Sequence, residues 1–193
     1  MGVHREIDRT PTAFVTAVEQ LTAAELRPEV LADVMPAPQR IAPYAHAVSG
    51  DVVLDDEDLG TGRFILLHDP AGNDAWHGDF RCVTFARADV ESEMAADPAL
   101  HEVGWSWLTD ALETHGAEYV APSGSVTVVR TEGFGEMRDD DADAQIEVRA
   151  SWTPTSDLGA HARAWSDLLC ALAGLPPLAP GVVPLQRRRG GRR

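Results

Sequence analysis

The chain contains no lysine: all 16 of its bases are arginine. Cysteine is nearly missing too. Cys82 and Cys170 stand far apart, each among apolar neighbours. No CxxC pair and no His/Cys spacing suited to zinc occurs, so both are expected to be small core residues in a reducing compartment. No apolar run approaches the length that crosses a bilayer. The opening residues MGVHREIDRTPTAF have charges but no apolar signal core. Glu6 stands where a myristoylation motif requires Ser or Thr. A cytoplasmic protein without membrane contact is expected.

Reaction motifs are missing as well. No GxxxxGK[ST] phosphate loop, no GxGxxG opening a helix and no GxSxG elbow is present. HEVGW lacks the second histidine of a zinc-protease helix. The acidic run from Asp139 has Ala144 and Ala150 where a calcium loop needs Gly and Glu, and DDEDLG has Leu59 at a ligand position. His115 and His161 fall on expected helices and read as surface or capping residues, and His101 as an exposed one. No catalytic set and no cofactor site can be assembled from these residues.

Negative charge is abundant. The formal net charge is −15, and five arginines crowd the last seven residues, RRRGGRR. Without them the body has 11 bases against 31 acids, a net of −20. Such a body repels phosphate backbones and anionic lipid. Residues 187–193 are expected to be a disordered tail. Arg187, Arg188, Arg189, Arg192 and Arg193 could reach nucleic acid by charge alone, without aromatics to read bases.

The remaining 1–186 read as one α+β domain, since 193 residues at 44% apolar content can bury one core. A first helix runs through PTAFVTAVEQLTAAEL, with Thr10 as N-cap and Phe14, Val18 and Leu21 at helical spacing. Extended segments follow at about Val30–Met35 and Tyr44–Leu54. DDEDLGTG is a polar connection; RFILLH and FRCVTFARADV are strands. ADPALHEVGWSWLTDALETHGAEY is a helix started by Asp97–Pro98 and closed by Gly116. SVTVVRT and QIEVRASW are strands. In the latter Ile146, Val148, Ala150 and Trp152 point inward, and Gln145, Glu147, Arg149 and Ser151 outward. Asp157 opens a last helix whose stripe is Leu158, Ala162, Trp165, Leu169 and Leu172, ended by Gly174. Consecutive strands with short links favour one mainly antiparallel sheet with helices mostly on one face.

Two stretches stand out chemically. In LLHDPAGNDAWHGDF, Asp69-Pro70-Ala71-Gly72 suits a type I turn, and Asn73 and Asp74 suit an Asx turn. That leaves His68, His77 and Asp79 as candidate metal ligands, if a hairpin brings the two imidazoles together. In GWSWL, Trp105 and Trp107 are two apart and cannot point the same way on a helix. A half-exposed tryptophan on an acidic surface is a candidate protein-binding anchor.

The segments MPAPQRIAPYAHAV, DLGTGRFILLHDPAG, ADPALHEVGWSWLTDALETHGAEY, IEVRASWTP and LCALAGLPPLAPGVVPLQRRRG resemble an uncharacterised family of high-GC Gram-positive bacteria. It is a domain of unknown function, number three thousand of its kind. The resemblance implies a cytoplasmic bacterial protein and transfers no site. The reading is then a non-enzymatic binding or adaptor domain with an unknown protein partner. Its alternatives are a metal-dependent enzyme at His68/His77 and a nucleic-acid factor acting through the arginine tail.

Overall fold

The computed structural model describes residues 10–137 and 143–178. In chain order the elements are α1 (Thr12–Thr22), β1 (Val30–Met35), β2 (Tyr44–Leu54), β3 (Glu57–Asn73) and β4 (Gly78–Asp89). They continue as α2 (Ser92–Ala95), α3 (Leu100–Thr114), β5 (Tyr119–Arg130), β6 (Ala144–Pro154) and α4 (Leu158–Leu172). The six strands form one antiparallel sheet in the order β1-β2-β3-β4-β6-β5. The expected α+β class is therefore what the chain adopts, with a short α2 added. Residues 187–193, and the boundary expected at 186, lie outside the described residues.

Alternation decides which face of the sheet is covered. On β6, Ile146, Val148, Ala150 and Trp152 are buried, and the register sets them beside Ala88, Ala86, Thr84 and Cys82 of β4. The same face continues through Phe64 and Leu66 of β3 to Val48 and Val52 of β2. Side chains of period two thus pool into one apolar layer. α4 lies on it with Leu158, Ala162, Trp165, Leu169 and Leu172 all buried, as its spacing requires. Gly50 and Gly62 face each other across β2 and β3 at the point of closest approach. A Cβ at Gly50 would stand 2.7 Å from Trp165 Cη2, so the indole needs the missing side chain. α3 packs beside α4 on the same face, over Ile146 and Val126, and α1 packs on α4.

Local chemistry shifts several boundaries. β3 begins at Glu57 because two residues suffice for the β2–β3 turn: Asp55 and Asp56 take left-handed φ of 50° and 68°. Aspartate tolerates that region better than most side chains. The β3–β4 turn falls at Asn73–His77, not at Asp69–Gly72. Asn73 Oδ1 accepts the Ala75 N–H at 3.0 Å, the Asx turn expected there. Asp69–Gly72 instead forms an irregularity inside β3, with Asp69 Oδ1 accepting the Ala71 N–H. α1 starts after Pro11 with no side-chain cap, so Thr10 does not serve as one. Asp157 precedes α4, yet its side chain caps nothing; Gln20 Oε1 from α1 accepts the Leu158 N–H instead. Gly116 and Gly174 close α3 and α4 with φ of 62° and 74°.

Candidate functional site

The two histidines of LLHDPAGNDAWHGDF occupy different environments. His68 faces Phe80 across the ladder and is buried. Its ring stacks on Phe80 with centroids 4.1 Å apart and on Phe14 at 5.9 Å. Its Nδ1 lies 3.0 Å from the Asp79 carbonyl oxygen and 4.0 Å from Asp79 Oδ2. His77 sits in the turn beyond Gly78, exposed, with a left-handed φ of 60°. Among the described residues no group of three His, Cys, Asp or Glu side chains is placed to hold a metal ion. The aromatic stack and the Asx turn account for most of what made that stretch look like a site.

The tryptophans of α3 diverge, as their spacing demands. Both are half-buried. Trp105 leans over β5, where a Cβ on Gly124 would stand 2.6 Å from its Cζ3. Trp107 points to the other side and lines a groove between α3 and α4 with a volume of about 780 Å³.

That groove is built by four segments. The chain after α1 supplies Glu25, Leu26 and Arg27; α3 supplies Trp107, Ala111 and Asp110; α4 supplies Arg163, Asp167 and Ala171; the chain after Gly174 supplies Leu175, Pro177 and Leu178. Its floor carries a line of charges. Arg27 donates to both carboxylate oxygens of Glu29 at 3.1 Å. Arg27 Nη1 lies 3.7 Å from Asp167 Oδ1, and Asp167 Oδ2 is 2.7 Å from His115 Nε2. Burial opposes both charges of the Arg27–Glu29 pair. The hydrogen bonds between them prevail, raising the Arg27 pKa and lowering that of Glu29. Arg27 also donates to the Pro176 carbonyl at 3.2 Å, and its backbone N–H to Ser166 Oγ at 2.7 Å. It thereby ties the segment after α1 and the segment after α4 to the same helix.

The His115–Asp167 pair is an arrangement that can orient an imidazole as a base toward a water or a substrate hydroxyl. The thiol on the same helix, Cys170, is fully buried, and desolvation pushes its pKa up to about 12. Cys82 is likewise buried, with its pKa raised by the same cause. His115 caps α3 as its position suggested. His161, expected at the surface or as a cap, is instead wholly buried, because its ring turns toward Trp152 on the covered face of the sheet. Trp152 Nε1 donates to its Nδ1 at 3.0 Å. An indole N–H can only donate, so His161 is neutral with its proton on Nε2. Burial lowers its pKa to about 4.

Sequence reasoning singled out Trp107 but missed Arg27, His115 and Asp167 as its neighbours. They come from three separate segments, the chain after α1, the end of α3 and α4, and no spacing links them. Among the described residues no helix is long and apolar enough to cross a membrane. No curated protein and no solved structure matches the chain. A family model does match it, over residues 10–183, so the chain belongs to the family described as "Protein of unknown function (DUF3000)".

Proposed function

We propose that the chain is a non-enzymatic protein-binding domain whose α3/α4 groove receives an amphipathic helix with a basic flank. The observation that carries this reading is the contrast between the groove's floor and its rim. Floor charges are already partnered, Arg27 by Glu29 and Asp167 by His115. At the rim Glu25 and Asp110 are exposed and make no ion pair among the described residues. Between them lie Trp107, Leu26, Ala111, Leu175 and Leu178. An apolar stripe would cover these side chains, and lysines or arginines beside the stripe would meet the free carboxylates. Trp107 is the expected hot spot, because a half-buried indole gains most from being covered.

The test is a titration with a labelled Leu/Lys amphipathic helix about four turns long, read by fluorescence anisotropy. Saturable binding is expected. Trp107→Ala should weaken it at least ~10-fold, equivalent to about 1.4 kcal/mol. Asp110→Asn should weaken it less and flatten its salt dependence. Equal affinity for a composition-matched peptide without helical periodicity, or for the Trp107→Ala protein, would refute the proposal.

A further inference from the structure

Among the described residues the opposite face of the sheet carries no helix, and its residues are laid out in rows. One row reads Ser49, Arg63, Phe85, Arg149 and Ser125 across β2, β3, β4, β6 and β5. The next, one pleat along, reads Ala47, Ile65, Val83, Ser151 and Ser123. From β3 to β5 the two rows line an open trough of about 680 Å³. Its β3–β4 side is apolar: Ile65, Val83 and Phe85. Its β6–β5 side is made of donors: Arg149, Ser125, Ser151 and Ser123.

Cationic charge is concentrated here on a chain of net charge −15. Arg63 is exposed, and its side chain makes no hydrogen bond or ion pair among the described residues. Arg149 stands 5.3 Å above the Phe85 ring and gives only its Nε to Glu147, which leaves both terminal nitrogens to donate.

A third guanidinium, Arg81, lies beside the trough, 8% exposed, and contacts no carboxylate among the described residues. It donates to Ser123 Oγ at 3.2 Å and Ser151 Oγ at 2.8 Å. It also donates to Thr153 Oγ1 and to the carbonyls of Ala121 and Ser151. All its hydrogen-bond partners among the described residues are neutral oxygens, so its charge is not cancelled. Ser123 and Ser151 accept from it, and their own hydroxyl hydrogens must point elsewhere. The two oxygens are 3.3 Å apart, so one hydroxyl can satisfy the other and one is left to donate outward.

We infer that this trough binds a small amphipathic oxyanion. Its carboxylate or phosphate head sits on Arg149, Ser125, Ser151 and Ser123, and its apolar body lies over Ile65, Val83 and Phe85. A buried arginine without a carboxylate partner that polarises two hydroxyls, beside the terminal nitrogens that Arg149 keeps outside its ion pair with Glu147, favours negative charge at that position. This site is on the face of the sheet opposite the α3/α4 groove, and its success or failure is independent of the groove's.

The experiment is titration of the full chain with octanoate and with octyl phosphate below their aggregation concentrations, followed by amide NMR. Octanol and octylammonium serve as neutral and cationic controls. Saturable shifts are expected at residues 123–125 and 149–151 with either anion; the tighter of the two identifies the head group. Arg149→Gln, an exposed substitution that leaves the fold intact, should weaken binding at least ~10-fold, and Phe85→Ala several-fold. No saturable binding of either anion, equal binding of the controls, or unchanged affinity in Arg149→Gln would each overturn the inference.

Discussion

Two faces of one sheet have opposite chemistry. The covered face carries glycines, Phe64, Trp152 and Val148; the open face carries Arg63, Arg149, Phe85 and serines. β6 supplies both in strict alternation, Val148 and Arg149 being neighbours in sequence. The covered face is fitted to one partner, α4, down to two facing glycines. The open face is fitted to none within the described residues, and its polar groups remain available. Stability should therefore be concentrated on one side and binding capacity on the other.

The strongest way to break that contrast is Trp165→Ala. The indole is 2% exposed, sits on Gly50 and meets Phe64 with centroids 5.8 Å apart. Removing it should cost about 4 kcal/mol, seen as a lower urea midpoint with little change in slope. A loss below about 1 kcal/mol would mean that α4 is not seated as described.

Acid should act next, through His161. Its pKa is lowered from 6.5 to about 4 in the folded chain. The unfolded chain therefore takes up this proton first as pH falls. The stabilisation is complete above pH ~6.5, declines as pH drops toward ~4, and is then gone, a loss of roughly 3 kcal/mol. His161→Gln keeps an acceptor for Trp152 Nε1 and does not titrate. Its stability should lack that slope between pH 6.5 and 4, measured as urea midpoints across the range. An unchanged slope would assign the acid sensitivity to other groups.

Gly62→Ala tests the same seat more gently. A Cβ there collides with Leu169 Cδ2 and stands 2.9 Å from the Phe85 carbonyl oxygen, which belongs to the backbone and cannot step aside. About 2 kcal/mol of destabilisation is expected from the thermal midpoint.

Much of this contrast was legible in the sequence, and the reasons are local. The alternation in QIEVRASW assigned both faces of β6 without reference to any other strand. The α4 stripe was equally clear, because Leu158, Ala162, Trp165, Leu169 and Leu172 repeat at helical spacing. The misplaced features depended on contacts distant in sequence. Nothing near Asp157 indicates that Gln20, 138 residues away, would accept the Leu158 N–H in its place. His161 reads as a surface or capping residue unless Trp152 of β6 is known to meet it. The groove was half visible: Trp107 was singled out by its pairing with Trp105. Arg27 and Asp167 become its neighbours only when the segments after α1 and α4 meet. The open-face row Arg63–Phe85–Arg149 is a matter of register, which no single strand encodes.

The smallest expected effect sharpens the comparison most. Phe85→Ala removes a half-buried ring from the open face and should cost about 1 kcal/mol, well below a core phenylalanine. Arg149→Gln should not move the unfolding midpoint at all. Its ion pair with Glu147 is exposed on the arginine side, and its other nitrogens are free. Val148→Ala, one residue away on the same strand, deletes methyl groups from a side chain with no exposure and should lower that midpoint clearly. Residues adjacent on β6 would then differ in kind, one holding the sheet to its helices and the other free for a ligand. Equal losses at the two positions would mean that the open face is covered by something the described residues do not include.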